Sequence, residues 1–125
     1  EYVDLTNSVI YLLDNDDLLV ETNVSIVDSG NIVDKIKALL KHLSEASREI
    51  IPNGLNFVMP KEIELLDVSV ENRIVTLNFS KDFNLSNNKK LIRLVEAVSF
   101  TLLELDEIEG VSILIDGINI NDYEN

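Results

Sequence analysis

The chain has no cysteine and no tryptophan, and only four glycines, two prolines and one histidine in 125 residues. Without cysteine there can be no disulfide, no thiolate metal site and no cysteine nucleophile. Gly30, Gly54, Gly110 and Gly117 are too scattered to build a phosphate-cradling loop or a dinucleotide fingerprint. His42 has no second imidazole with which to share a metal, and neither H-E-x-x-H nor G-x-S-x-G occurs. Basic residues are scarce as well: 10 Lys and Arg stand against 23 Asp and Glu, for a net charge of −13 and a pI near 4.2. Such a surface repels nucleic acid and anionic lipid, because both are held by clustered cations. No apolar run approaches the ~20 residues of a bilayer-spanning helix, so no direct membrane insertion is expected of these residues. The chain opens at Glu1 and is silent on any leader or anchor that precedes it.

What is present is a core. Apolar residues make up 46% of the chain and the mean hydropathy is +0.12, as in globular chains, and 125 residues correspond to one domain. The best-specified stretch runs from Ile63 to Phe83, where two alternating strands flank a two-residue turn at Asn72 and Arg73. That turn sets the register. Val70 falls opposite Val75, Val68 opposite Leu77 and Leu66 opposite Phe79 on one side, while Ser69 meets Thr76 and Asp67 meets Asn78 on the other. One apolar and one polar side predict a sheet covered on one face only.

The rest of the chain is placed against this hairpin. Ser8 to Leu13 and Leu18 to Val27 read as strands, joined by the acidic turn Asp14-Asn15-Asp16-Asp17. The acids do not follow the calcium-loop pattern, which requires glycine where Leu19 stands. Asp28, Ser29 and Asn31 can cap a helix whose stripe is Ile32, Ile36, Leu39, Leu40 and Leu43 and which ends near Ala46. Ser47 to Pro60 is irregular, with a turn at Pro52-Asn53-Gly54. After a polar loop, Ser86, Asn87 or Asn88 caps a second helix to about Glu107, with Leu91, Leu94, Val95, Val98, Leu102 and Leu105 inward. Val111 to Asp116 is the last strand. The expected architecture is α/β of the α+β kind: a two-layer sandwich in the order β-β-α-β-β-α-β, with two helices packed on one face of a mixed sheet of about five strands. Residues 8–120 form the single domain, between polar terminal segments 1–7 and 121–125.

Catalytic, cofactor and metal sites are not expected, since the acidic pairs that can be drawn, Glu62 with Glu64 and the group Glu104, Asp106, Glu107 and Glu109, are what a strongly charged surface produces by itself. His42 reads as a solvated helix residue. Lys89, Lys90 and Arg93 form the one basic group, at a helix N-terminus where cations oppose the macrodipole. Phe100 projects to the outer face of its helix with Arg93, which suits either a cover by another segment or a partner-binding ring. The candidate interface is therefore the polar sheet face, Asp67, Ser69, Thr76 and Asn78, or the helix face around Arg93 and Phe100.

From Val9-Ile10-Tyr11 to Gly117 the chain resembles the GerM-type, or GerMN, domain of sporulation and spore germination proteins. The likeness is carried by Pro60 followed by LLDVSVENRIVTLNFSKDF, by Phe100-Thr101-Leu102, and by Gly110-Val111 with Asp116-Gly117. Lys61-Glu62 and Asn72-Arg73 depart from the small or glycine-bearing turns usual there. The resemblance implies a non-enzymatic, extracytoplasmic module. Such a module belongs to a lipoprotein or ring-like envelope complex of a spore-forming bacterium, anchored through a segment outside these residues. It works by binding a protein partner or by self-association in the cell envelope. A cell-envelope module for a small ligand or glycan, using the Ser47 to Pro60 segment and the acidic rim, is the alternative.

Overall fold

The computed structural model describes residues 5–80 and 88–120, with residues 88–90 described by backbone only. The lead-in residues Tyr2 and Val3, the loop from Asp82 with Ser86 and Asn87, and the terminal Asn121 to Asn125 lie outside the described residues. Strands β1 (Leu5–Asp14) and β2 (Leu19–Val27) are followed by helix α1 (Ile32–Leu43), and the two-residue strand β3 (Leu55–Asn56) precedes β4 (Leu65–Glu71) and β5 (Ile74–Phe79). Helix α2 (Asn88–Leu103), β6 (Gly110–Ile115) and the short β7 (Ile118–Asn119) complete the chain. The α+β class and the order of the long elements are as the sequence implies.

Local chemistry explains most boundaries. The Asp14 carboxylate accepts from the N–H of Asp16 at 2.8 Å and of Leu18 at 3.0 Å, so the acidic run closes the β1–β2 turn by itself. Asn31 Oδ1 accepts from Val33 N–H at 2.8 Å and caps α1. That helix ends at Leu43 rather than near Ala46, because a separate 3₁₀ turn, Glu45–Ser47, starts at Ser44. The stretch after it is less irregular than its composition suggests: Ser44 bridges Met59, and Val58 and Met59 are buried.

The β4–β5 hairpin turns through Asn72 at φ 53° and Arg73 at φ 66°, the left-handed pair of a two-residue hairpin, with Arg73 where glycine is usual. The pairs Val70 with Val75, Ser69 with Thr76, Val68 with Leu77 and Asp67 with Asn78 all form. Leu66 does not pair with Phe79. A bulge between Leu65 and Asp67 gives Leu65 that place and leaves Leu66 51% exposed. Ser80 holds the displaced end, since its N–H donates to the Glu64 carbonyl and its Oγ accepts from the Glu64 N–H.

In place of a single mixed sheet of about five strands, the strands divide into a sheet ordered β2-β1-β3 and a sheet ordered β4-β5-β6-β7, in which only β5 and β6 are parallel. The reason lies at the edge of β1. There the Tyr11 N–H donates not to a strand but to Thr101 Oγ1 of α2, at 3.1 Å. Thr101 is fully buried, and at Tyr11 α2 takes the edge of β1 that β3 pairs only at Leu13 and Asp14. Both helices and the apolar sides of both sheets enclose one core, in which Ile10, Leu12, Ile36, Leu39, Leu43, Val75, Leu77, Phe79, Val98, Leu102 and Ile115 have essentially no exposure.

Candidate interaction surface

Among the described residues nothing covers the outer side of the larger sheet, which is mostly polar. Because inward and outward side chains alternate, burying Val75, Leu77 and Phe79 sends Thr76 and Asn78 outward, next to Ser69 and Asp67 of β4 and Ser112 and Leu114 of β6. Asp67 and Ser69 are exposed, and Thr76 and Asn78 are half-buried. Asn78 is committed to structure: its Oδ1 accepts the Gly117 N–H at 2.8 Å and holds the turn between β6 and β7. The predicted sheet-face residues therefore do lie together, with Asn78 fixing a loop.

The second predicted patch is arranged differently. Arg93 Nε donates to the Asp17 carbonyl at 2.7 Å, and its Nη1 pairs with Glu96 at 2.7 Å. Phe100 packs at 5.7 Å, tilted by 59°, against the ring of Tyr11, and remains 45% exposed. The Tyr11 hydroxyl lies 2.9 Å from Glu104 Oε2 and 3.1 Å from Glu21 Oε1. Arg93, Phe100 and Glu104 thus clasp α2 to the β1–β2 hairpin, and a segment of β1 half-covers the ring. Tyr11 and Thr101 were not legible as a pair. The available signal was a threonine standing between Val98 and Leu102 on an otherwise apolar stripe.

The bond to Glu104 pushes the Tyr11 hydroxyl well above its ordinary range, with burial and Glu21 adding to it, because ionisation would set a phenolate beside carboxylates. A raised value in the folded state means that the contribution of Tyr11 is complete below the ordinary tyrosine range near 10 and is lost as pH rises through it. Tyr11→Phe should consequently show a flatter loss of stability above pH ~10 than the native chain, measured as urea midpoints across that range. Equal slopes would show that the phenol does not hold the clasp.

The remaining charged candidates disperse. Glu62, Glu64, Glu104, Asp106, Glu107 and Glu109 are all exposed. Glu107 faces Lys35 at 3.5 Å and Glu109 faces Arg73 at 3.3 Å, while His42 Nδ1 meets Glu49. The side chains of Lys89 and Lys90 lie outside the described residues. Among the described residues no three His, Asp or Glu side chains gather as a metal group, and no helix is long and apolar enough to cross a membrane. A cleft of about 200 Å³ opens between α2 and β6, lined by Val95, Ser99, Val111, Ser112, Asn119 and Ile120, and thus away from Ser47 to Pro60.

Comparison with known proteins places these features in a family. The profile of the Germane family, described as sporulation and spore germination, matches residues 9–121. The fold is that of the first GerMN domain of the sporulation protein GerM from Bacillus subtilis, with a TM-score of 0.78 and 22% identity over 93% of this chain and 86% of that one. The tandem GerMN domains of the same protein match with a TM-score of 0.78 and 22% identity over 94% of this chain and 41% of theirs. A proposed lipoprotein from Clostridium perfringens is similar at a TM-score of 0.57 and 19% identity, over 93% of this chain and 76% of that one. No curated protein matches the chain.

Proposed function

Because the chain belongs to the Germane family of sporulation and spore germination domains, we propose that it acts there as a non-enzymatic protein-interaction module of the cell envelope. The observation that carries this reading is the sheet face that the described residues leave uncovered: both helices pack on the inner side, and Ser69, Thr76 and Ser112 form a neutral row across β4, β5 and β6. In a chain of net charge −13, a row without charge is where contact with another protein costs least in desolvation. The likeness to tandem domains and to a proposed lipoprotein supports an anchored, extracytoplasmic setting in which neighbouring domains or envelope proteins dock on that face.

Ser69→Arg sets a guanidinium at the β4 end of the row. It should abolish self-association or envelope-partner capture while moving stability by no more than about 0.5 kcal/mol, as exposed substitutions do. Analytical ultracentrifugation, affinity capture from envelope extracts and a sporulation assay of the deletion are the measurements. A monomer at high concentration, together with unimpaired sporulation and germination on deletion, rules the reading out. Phe100→Ala, at the second patch, should weaken association only if that patch also docks, and should lower stability by about 1 kcal/mol through its contact with Tyr11.

The cleft beside β6 favours a second reading, small-ligand or glycan binding, since its apolar wall carries Ser99, Ser112 and Asn119. Thermal-shift measurements with muropeptides discriminate the two: a rise in melting temperature that is lost in Val95→Trp would support the ligand site.

A further inference from the structure

Strand β4 ends the larger sheet, and among the described residues nothing pairs with its second edge. Which backbone groups point out there follows from the hairpin. Residues flanking a two-residue turn exchange both hydrogen bonds, so Glu71, Ser69 and Asp67 bond to β5. Val68 and Val70 must then aim their N–H and C=O groups away from the sheet, a template for one more strand. On the outer side this edge carries the exposed carboxylates of Asp67 and Glu71 with Ser69 between them. On the inner side stand the half-buried Val68 and Val70.

Charge decides what can be added. Two copies pairing edge to edge about Ser69 would set Asp67 opposite Glu71 twice, and like charges directly opposite destabilise a ladder. The nearby Arg73 does not neutralise them, since it is engaged with Glu109 at 3.3 Å and with the Asp106 carbonyl. Resting on the reading of the protein as an interaction module, we propose that the free edge of β4 accepts an extended segment of a partner protein by β-augmentation. Its Lys or Arg residues are spaced to face Asp67 and Glu71, with aliphatic residues between them beside Val68 and Val70. The net charge of −13 draws such a basic segment in from a distance.

The test uses a labelled peptide in which Lys and Ser alternate with Val, Lys being spaced as Asp67 and Glu71 are. Its controls are a Glu-for-Lys peptide and an equally charged peptide interrupted by proline. The Lys peptide should bind, should slow hydrogen exchange at the Val68 and Val70 amides, and should bind less at high salt. Asp67→Asn alone should weaken it roughly two- to fivefold. Asp67→Lys with Glu71→Lys should transfer binding to the Glu peptide. Val70→Pro removes an outward N–H without touching the bonds to β5, and should abolish binding. Equal binding of the proline-interrupted peptide, unchanged exchange at Val68 and Val70, or indifference to charge reversal overturns the proposal. If the edge variants leave partner capture intact while Ser69→Arg abolishes it, edge addition is refuted and the interaction reading stands.

Discussion

Phe79→Ala is expected to destabilise the protein by roughly 3–5 kcal/mol, the largest effect of any single substitution considered. Phe79 has no exposure and closes the apolar side of β5, with Leu65 in register on one neighbour and Ile115 on the other. The ring thus sits on the central of three strands beneath the helices, and removing it leaves a cavity that one antiparallel and one parallel ladder keep from collapsing. A domain of this size has about 5–15 kcal/mol in total, so the variant should be partly unfolded near body temperature. Urea unfolding followed by circular dichroism measures it, with Phe79→Leu expected to cost far less, below about 1.5 kcal/mol. A loss under ~1 kcal/mol for the alanine variant would mean that the site refills, and that the hairpin is not the centre of the core.

Thr101→Val should cost about 1–3 kcal/mol although it changes almost nothing in shape. Valine keeps the packing but offers no acceptor, so the Tyr11 N–H, bonded to Thr101 Oγ1 at 3.1 Å, would be left unpaired beside a fully buried helix residue. Thr101→Ser retains the oxygen and loses one methyl group, and it should cost less than the valine variant. That order is the signature of a hydrogen bond rather than of packing. Amide exchange supplies a second readout: the Tyr11 amide should exchange faster in the valine variant than in the native chain. A valine variant as stable as the native protein would show that α2 merely lies beside β1 without being bonded to it.

These two residues also mark how far the sequence could be read. Phe79 was legible because period-two alternation around the Asn72-Arg73 turn assigns every side chain of the hairpin to a face, and a face is enough to predict burial. The same rule misplaced Leu66, because a bulge breaks the period and has no signature of its own in the residues around it. Thr101 was not legible, since its role depends on which backbone group arrives opposite it from a strand 90 positions away. Phe100 lay between these cases. Helical spacing placed it on the outer face, but only the fold could bring Tyr11 against it at 5.7 Å. Of the sheet-face candidates, alternation correctly gathered Asp67, Ser69, Thr76 and Asn78, whereas the bond between Asn78 and the Gly117 N–H, which ties one of them to a turn, joins residues far apart in the chain.

The residues by themselves determined the long elements, their order, the apolar side of each and the membership in a family of sporulation and germination domains, because these follow from short-range periodicity, turn chemistry and the spacing of motifs. Tertiary structure alone decided that the strands form two sheets instead of one. Beyond the short pairing with β3 a hydroxyl on α2 meets the edge of β1, and no local pattern records which of two distant groups will satisfy an edge N–H.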